Sequence, residues 1–399
     1  MLRHRDPRCP TGSALPVSRR WVAALALSLM GAAAAIAAGA LRDNGLARTP
    51  PMGWSSRSFG ESIDDSSVRA IADAVNANGM RQAGYSYINI DDAWQGQRSG
   101  QGDIQPNQRF PDMRALARYV HARGLFIGIF SSPGAKTCLG YEGSFGHEEQ
   151  DARVFAAWSM DFLEYSWCAG DKLHDTEAGL RAAYVKMGQE LSRAGRPIVY
   201  SLGESGKCEV WKWAAQTGAN LWRTGGDTGN LAEFARPGHW NNPGPLLPGG
   251  PPGGGTPGRS AASDAALRMQ MSMWAMLAAP LFVEGDPRSF SKSVLATLTN
   301  REVIGVDQDP AGTPGFRMSA RNGLEIWTRH LADGGKAVGW FNGRDTRVRF
   351  TMTWSDFGVD SKSVVRDLWQ HRIMDTGKPE FLVDVDEHDV MMVRVYASQ

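Results

Sequence analysis

Short apolar runs alternate with helical patterns along most of the chain. The runs are mostly apolar, as a strand buried on both faces of a sheet must be. Helical spacing separates several of them, as over Ser67–Gln82, Met113–Arg123 and Asp264–Ala278. This alternation predicts a (β/α)8 TIM barrel. Its strands are predicted at Met52–Trp54, Tyr85–Asp91, Leu125–Ser131, Asp161–Tyr165, Pro197–Leu202, Ala219–Arg223, His239–Asn241 and Pro280–Val283.

A doubly wound open sheet is the alternative that the same pattern allows. No G-x-G-x-x-G follows the first run, which weakens a dinucleotide-binding version of that fold. The low-complexity segment Pro248–Gly258 is predicted to be a loop late in the barrel, because a helix and a strand still follow it. The barrel is therefore predicted to occupy residues 41–314.

After Pro314 the sequence pattern changes to short β-rich runs separated by turns, with no helix-length periodic segment. Residues 315–399 are therefore predicted to form a C-terminal antiparallel β-sandwich domain. The predicted strands are Leu324–Arg329, Lys336–Phe341, Arg347–Thr353, Ser363–Asp367 and Val390–Tyr396.

The N-terminus is typical of an export signal. Five arginines and one acid precede a run of apolar and small residues, Trp21–Ala40. We predict that residues 1–40 direct export of a bacterial protein to the periplasm or the extracellular space. A retained membrane anchor is the alternative, because 20 apolar residues can just span a bilayer. Ser18-Arg19-Arg20 faintly resembles a twin-arginine signal.

Charge and composition exclude several classes of protein. The chain has 43 Lys and Arg against 42 Asp and Glu, and residues 41–399 alone have 38 against 41. There is thus no basic excess for nucleic-acid binding, and no nucleic-acid partner is predicted. With 42% hydrophobic and 21% charged residues the chain is not disordered overall.

Polar side chains follow most of the predicted strands, at the end where barrel enzymes carry their active sites. Carboxylates accept hydrogen bonds from hydroxyls, arginine donates them, and an aromatic face packs on the C–H face of a sugar ring. The set therefore indicates a polyhydroxylated sugar ligand. The candidates are Trp54, Asp91, Asp92, Lys136, Glu164, Ser166, Glu204, Arg223 and Asp227.

Purely structural interpretations of the same residues stay open. Asp91 and Asp92 also suit a solvated strand end or a helix cap, and Arg223 with Asp227 suits a simple salt bridge. The sequence has no P-loop, no G-x-S-x-G, no H-E-x-x-H and no cluster with the spacing of a catalytic zinc site, so no metal or other cofactor is predicted.

Five segments resemble the α-galactosidases of glycoside hydrolase family 27. They are Thr49–Trp54 (TPPMGW), Tyr87–Trp94 (YINIDDAW), Lys136–Asp151 with its KTC and GYEGSFGHEEQD motifs, Trp222–Asp227 (WRTGGD) and Asn300–Pro310 (NREVIGVDQDP). The resemblance covers residues 48–399. It implies a (β/α)8 barrel followed by an antiparallel β domain, and retaining hydrolysis by two carboxylates.

The resemblance also implies roles for single residues. Asp227 matches the general acid/base, and Asp91 and Asp92 match the acids that bind the 4- and 6-hydroxyls of a galacto-configured sugar. Trp54 matches a residue that lines the apolar side of the ring, and Glu204 and Arg223 match groups near the 2-hydroxyl. Cys138 and Cys168 match a disulfide beside the site.

The chain departs from the family where its nucleophile is expected. The family's K-Y-D-x-C is here Glu164-Tyr165-Ser166-Trp167-Cys168, so serine replaces the nucleophilic aspartate and glutamate replaces a sugar-binding lysine. The family's W-N-D-P-D-M is Trp240–Pro245 (WNNPGP), and its S-L-C-E-W-G is Ser201–Gly206 (SLGESG). A serine hydroxyl is un-ionised and needs an adjacent base to attack. Losing one electrostatic contact to the transition state commonly costs about 3 kcal/mol.

Glu164 is a candidate to compensate for Ser166. Both side chains point to the same side of the strand, about 6.6 Å apart along it. Glu164 is therefore a hypothetical nucleophile, or a general base to water, with Asp227 as acid. The alternative is that Glu164 merely pairs with Lys136 or Arg223.

Three functions are compatible with these residues. The first is an exported α-galactosidase-like hydrolase acting on galactose-containing oligosaccharides or glycoconjugates. The second is a catalytically inactive galactoside-binding protein on the same scaffold, which Ser166 favours. The third is a glycosidase for a related sugar, a β-L-arabinopyranoside or an α-N-acetylgalactosaminide.

Overall fold

The computed structural model describes residues 43–168, 176–225, 234–248, 264–359 and 363–396. The predicted export signal, residue Asp227 and the low-complexity loop beyond Pro248 lie outside these ranges.

Strands and helices alternate in the described part of the chain before Pro314. In chain order the strands are β1 (Met52–Ser55), β2 (Tyr87–Asn89), β3 (Gln95–Arg98), β4 (Ile104–Pro106), β5 (Phe126–Ser131), β6 (Phe162–Ser166), β7 (Val199–Gly203), β8 (Leu221–Arg223), β9 (Trp240–Asn242) and β10 (Leu281–Val283). The helices are α1 (Asp65–Ala77), α2 (Met80–Ala83), α3 (Met113–His121), α4 (Glu148–Ala157), α5 (Glu177–Arg193), α6 (Asp264–Leu277), α7 (Lys292–Leu298) and α8 (Arg301–Asp307).

Eight of these strands form one parallel sheet, in the order β10-β1-β2-β5-β6-β7-β8-β9. A parallel bridge between Leu246, just after β9, and Val283 of β10 joins the two outer strands. The Leu246 N–H donates to Phe282 O at 2.7 Å, and the Glu284 N–H donates to Leu246 O at 3.0 Å. All eight predicted strands are present and the predicted barrel is confirmed.

The helix predicted over Ser67–Gln82 is in fact two helices. Asn78 ends α1, and Gly79 follows with φ of +93°, a left-handed conformation that glycine adopts without strain. The hydrophobic periodicity predicts a single helix here because apolar residues continue on both sides of the break. Of the helices described, none has both the length and the apolar character needed to cross a bilayer.

The C-terminal part is antiparallel. Its strands are β11 (Phe316–Arg321), β12 (Leu324–His330), β13 (Lys336–Asn342), β14 (Val348–Thr353), β15 (Val365–Asp367), β16 (Arg372–Met374), β17 (Glu380–Val385) and β18 (Val390–Val395). Six form one sheet, β11-β12-β13-β18-β15-β16, and β14 pairs with β17. A separate apolar core that includes Trp340, Trp354 and Phe381 lies among them. The predicted β-sandwich is confirmed, with β11, β16 and β17 added to the predicted strands.

Side chains fill the barrel interior in layers. Phe162, Val199, Leu221 and Phe282 form an apolar cluster, against which Tyr87 packs. Because successive side chains alternate across a strand, residues 162, 164 and 166 of β6 share the inner face. The apolar layer at Phe162 therefore gives way to polar layers toward the carboxyl end of the strand.

The two parts of the molecule are joined by specific polar contacts. Arg366 of the β domain forms a two-pronged ion pair with Glu302 of α8, at 2.6 and 2.9 Å. The Trp369 indole N–H donates to Ser272 Oγ of α6 at 2.9 Å.

A buried arginine and a buried aspartate lie at the same junction. Arg329 of β12 is fully buried, and its Nε donates to Thr313 O at 2.9 Å. Asp307, at the end of α8, is fully buried as well, and its Oδ2 accepts from Gln308 Nε2 at 2.7 Å. Burial raises the pKa of Asp307 to about 8, although the nearby Arg329 acts to lower it.

Asp307 makes the stability of the protein depend on pH. Its carboxyl is protonated in the folded state up to about pH 8, whereas in the unfolded chain it ionises near pH 4. The folded state thus binds more protons between these values, and stability falls as pH rises, by up to about 1.4 kcal/mol per pH unit from this group. We expect Asp307→Asn to remove this part of the pH dependence in urea unfolding at pH 5.5, 6.5 and 7.5.

The exposed Asp375→Asn is the matched control and leaves the pH dependence unchanged. A constant difference between Asp307→Asn and wild type at all three pH values would contradict the assignment.

Candidate active site

The carboxyl ends of the barrel strands surround a cavity whose twelve lining residues include five charged ones. It is lined by Arg57, Asp91, Glu164, Arg223, Asn242 and Glu284, among others. A second cavity adjoins it and is lined by Asp92, Cys138 and Ser166, together with Arg57 and Asp91. Because Arg57 and Asp91 line both cavities, the two form one site. This is the end of a barrel at which enzymes bind their substrates.

Glu164 and Ser166 lie together above Gly203. In the register of the sheet, Glu164 is opposite Ser201 and Ser166 is opposite Gly203. A Cβ at position 203 would lie 2.9 Å from Glu164 Oε1 and would overlap Ser166 Oγ. Both oxygens thus occupy space that any side chain at 203 would fill, and they are close neighbours of each other.

The pKa of Glu164 is raised, chiefly by burial and further by the Asp91 carboxylate. The Ser201 hydroxyl and the positive charges of Arg223 and Arg57 act in the opposite direction. Glu164 is therefore a carboxyl beside Ser166 whose ionised form is favoured by the charges of Arg223 and Arg57.

Asp91 and Asp92 have different environments. The Asp91 carboxylate accepts from the Asp92 N–H at 2.8 Å and faces both cavities. Burial raises its pKa, and Arg57 opposes this shift. Asp92 accepts from two backbone N–H groups, those of Ala93 and Leu139, each at 2.8 Å. The Ser55 hydroxyl is a second donor to Asp91, which differs from Asp92 in lining both cavities.

The loop that Asp92 holds also carries the predicted disulfide. Cys138 is bonded to Cys168, with their Cα atoms 4.6 Å apart, and the prediction is confirmed. The bridge ties the loop after β5 to the end of β6, two residues beyond Ser166. Cys138 and Leu139 therefore form a fixed wall of the site.

Glu204 and Arg223 lie at different depths. Glu204 is 1% exposed, and neither carboxyl oxygen has a hydrogen bond of normal geometry to the described residues. Burial, reinforced by the Glu164 charge, raises the pKa of Glu204 well above its usual range. Arg223 lines the cavity, with its guanidinium packed against Gly244.

Two candidates from the sequence have other surroundings. Trp54 is fully buried, and its indole N–H donates to Gly285 O at 2.7 Å. Lys136 is exposed and ion-paired with Glu142, so it is not the partner of Glu164. Asp227 lies outside the described residues, and its role stays a prediction.

Two charged lining residues were not among the sequence candidates. Arg57 lies two residues after the end of β1, and Glu284 directly follows β10. Glu284 is 4% exposed, and burial raises its pKa to about 7. The signal for Glu284 in the sequence is its position, because it is the first residue after the apolar run Pro280–Val283 that predicts the eighth strand.

Comparison with protein-family models identifies the chain. The model described as alpha galactosidase A matches residues 55–221 and 211–309, and that of the alpha galactosidase C-terminal beta sandwich domain matches residues 321–395. The chain belongs to the α-galactosidase family of glycoside hydrolases. The family resemblance inferred from its motifs is thereby confirmed.

Individual members of the α-galactosidase family are similar over most of their length. An α-galactosidase of Cyamopsis tetragonoloba is 37% identical, covering 88% of this chain and 87% of the relative. α-Galactosidase A of Cellvibrio japonicus is 36% identical, covering 80% and 82%. The structure of α-galactosidase I from Mortierella vinacea has a TM-score of 0.81 at 29% identity, covering 90% of this chain and 99% of the other.

Two positions near the site have glycine where the α-galactosidase motifs have a residue with a side chain. Gly203 stands where the motif has cysteine, directly against Glu164 and Ser166. Gly244 stands where the motif has an acid, with Arg223 Nη1 3.1 Å from the position of a Cβ. The departures at 164, 166 and 203 therefore share one region of space, whereas Gly244 adjoins Arg223, which the motif retains.

We expect Gly203→Ala to displace Glu164 and Ser166. The added methyl meets two oxygens on a fixed strand, and overpacking of this kind costs about 1–3 kcal/mol. Gly305→Ala is the matched control, because a Cβ there meets nothing within 4 Å. Urea unfolding and sugar binding of both variants check this, and equal behaviour of the two would show that the space at 203 is not limiting.

Proposed function

We propose that the protein is an exported α-galactosidase-like glycoside hydrolase that acts on terminal α-galactosides. The observation that carries this proposal is family membership over nearly the whole chain, combined with a cavity lined by carboxylates and arginines at the catalytic end of the barrel. Galactose-containing oligosaccharides or glycoconjugates are the proposed partners. The structure of a related yeast enzyme was determined with raffinose.

The proposed binding of the sugar relies on hydrogen bonds to charged groups. Asp91 accepts from the 4- or 6-hydroxyl, and Asp92 holds the wall of the site through the backbone of Leu139. Arg223 donates to oxygens on the other side of the ring. Hydrogen bonds with an ionised partner are about twice as strong as neutral ones, which suits discrimination between sugar epimers.

The proposed chemistry uses two carboxyl groups. Asp227 protonates the leaving oxygen as general acid. Glu164 supplies the carboxylate that Ser166 lacks, either as the nucleophile at the anomeric carbon or as the base that deprotonates a water. Separations of roughly 5–5.5 Å favour retention and roughly 6.5–9.5 Å favour inversion, because the longer distance leaves room for water. The anomer of the first product therefore reports which role Glu164 plays.

The charge state of Glu164 sets the acid limb of the activity. As nucleophile or base it must be ionised, and its raised pKa means that it takes up a proton at a higher pH than an ordinary glutamate. Activity is therefore expected to fall on acidification from a higher pH than an unshifted carboxylate would give.

A second candidate function is galactoside binding without hydrolysis. The specific observation that favours it is Ser166, a hydroxyl where the α-galactosidase motif has its nucleophilic aspartate. On this alternative Glu164 only balances the charge of Arg223 and Arg57.

Hydrolysis of p-nitrophenyl α-galactoside by wild type and Glu164→Gln separates the two candidates. We expect wild type to turn over and the variant to lose about 100-fold or more in kcat, because the neutral amide neither attacks nor stabilises positive charge. Glu149→Gln, on an exposed turn of α4, is the matched control. NMR of the released sugar assigns the anomer.

Unchanged activity in Glu164→Gln would contradict the proposed role of Glu164. Loss of turnover in Asp227→Asn supports Asp227 as the acid. Binding of galactose without turnover by wild type supports the second candidate. In that case, gain of turnover by the double variant Glu164→Lys with Ser166→Asp shows that the scaffold lacked only the family's lysine and aspartate at these two positions.

We further propose that residues 1–40 are removed on export, leaving a barrel from residue 41 to 314 and a β domain from 315 to 399. The arginine-rich start and the apolar run Trp21–Ala40 support this, and so does the disulfide, which is typical of oxidising compartments. Intact-mass measurement of the exported protein is expected to show cleavage after residue 40. A full-length mass in the membrane fraction would indicate the anchor instead.

A further inference from the structure

We propose that Glu284 is a substrate-contacting carboxyl group that accepts a hydrogen bond from the 4- or 6-hydroxyl of a galacto-configured sugar. No α-galactosidase motif matched in this chain includes this residue. The inference deepens the proposed function and rests on it as far as the identity of the sugar is concerned.

The position of Glu284 places its carboxyl in the cavity. It directly follows β10 and lines the same cavity as Asp91, Glu164 and Arg223. Glu284 is 4% exposed, and the influences on the pKa of its carboxyl are burial and the charges of Arg57, Asp91 and Arg223, with no hydrogen bond among them. A buried carboxyl without a partner is costly, so this group is available to a ligand that supplies the missing donor.

The backbone around Glu284 is held on three sides. Its own N–H donates to Leu246 O at 3.0 Å, which closes the barrel. The N–H of Gly285 donates to Ser58 Oγ at 3.0 Å, and Gly285 O accepts from the Trp54 indole at 2.7 Å. Trp54, expected from the sequence to face the sugar, thus fixes the strand end that carries this carboxyl. Such fixing places an acceptor without a further ordering cost on binding.

Arg57 connects Glu284 with Asp91. Strands β10, β1 and β2 are adjacent, and these three residues follow them in that order around the barrel. Arg57 lowers the pKa of both carboxyls, whereas the Asp91 charge raises that of Glu284. Glu284 and Asp91 therefore belong to one side of the site, and this is the side that the family motif assigns to the 4- and 6-hydroxyls.

Protonation of Glu284 follows from the same surroundings. Burial raises its pKa to about 7, and the charges that face it are Arg57 after β1, Asp91 after β2 and Arg223 on β8, with Glu164 of β6 in the same cavity. An ionised carboxylate is the better acceptor, so sugar binding should strengthen from pH 6 to pH 8 through this group.

Equilibrium binding of free monosaccharides to the full-length protein tests the inference without requiring turnover. Calorimetry would compare D-galactose with its 6-deoxy, 4-deoxy and 2-deoxy analogues, for wild type, Glu284→Gln, Glu284→Asp and Asp286→Asn at pH 6 and pH 8. Asp286 is the matched control, because it is two residues away and ion-paired with Arg288 in an exposed turn.

We expect Glu284→Gln to weaken galactose binding about tenfold or more at pH 8. The preference of wild type for galactose over either the 6-deoxy or the 4-deoxy sugar shrinks in this variant, whereas the preference over the 2-deoxy sugar is kept. The difference between wild type and Glu284→Gln is smaller at pH 6. Glu284→Asp keeps the pH dependence with weaker binding, which a loss of folding would not produce.

Equal discrimination by wild type and Glu284→Gln at pH 8 overturns the role of Glu284 and leaves the proposed function intact. A wild type that binds none of these sugars overturns the inference as well. Binding of galactose without hydrolysis of the aryl galactoside, with the expected behaviour of Glu284→Gln, supports the inference while rejecting the proposed hydrolysis.

Discussion

Closure of the parallel sheet is the constraint on which the rest of the molecule depends. A parallel sheet with both faces covered still exposes its two outer strands, and only a ring leaves neither edge unpaired. The chain completes its ring through Leu246, which accepts from Glu284 and donates to Phe282 across the gap between β9 and β10. Once the ring is closed, the carboxyl ends of all eight strands face one mouth, and groups far apart in sequence share one cavity.

Shared space at that mouth links two of the positions that differ from the α-galactosidase motifs, 164 and 203. Glu164 is longer than the aspartate lost two residues later, and its carboxyl needs room that a side chain at 203 would take. Arg223 likewise packs where a side chain at 244 would begin. Glu164 and the glycine at 203 are therefore linked, because the carboxyl of Glu164 lies in the space that a Cβ at 203 would enter.

The sequence predicts the architecture better than the site. All eight barrel strands follow from their apolar runs, because burial on both faces demands such runs. The edge strand β11 has almost only exposed residues and leaves no such signal. At the site, Asp91, Glu164 and Arg223 line the cavity as expected, but motif position alone does not reveal that Trp54 is buried or that Lys136 pairs with Glu142. Those outcomes depend on which neighbours the tertiary fold supplies.

The Cys138–Cys168 bridge links the working state of the protein to the redox conditions around it. The bond closes a loop between cysteines 30 positions apart, and a bridge of this kind withdraws conformational freedom mainly from the unfolded chain. Reduction would leave the barrel sheet, which contains no cysteine, with all of its hydrogen bonds. It would remove one tie on the wall formed by Cys138 and Leu139, and the hydrogen bond from the Leu139 N–H to Asp92 would remain. In a thiol-rich cytoplasm that wall of the candidate site would therefore be held less firmly than in an oxidising compartment.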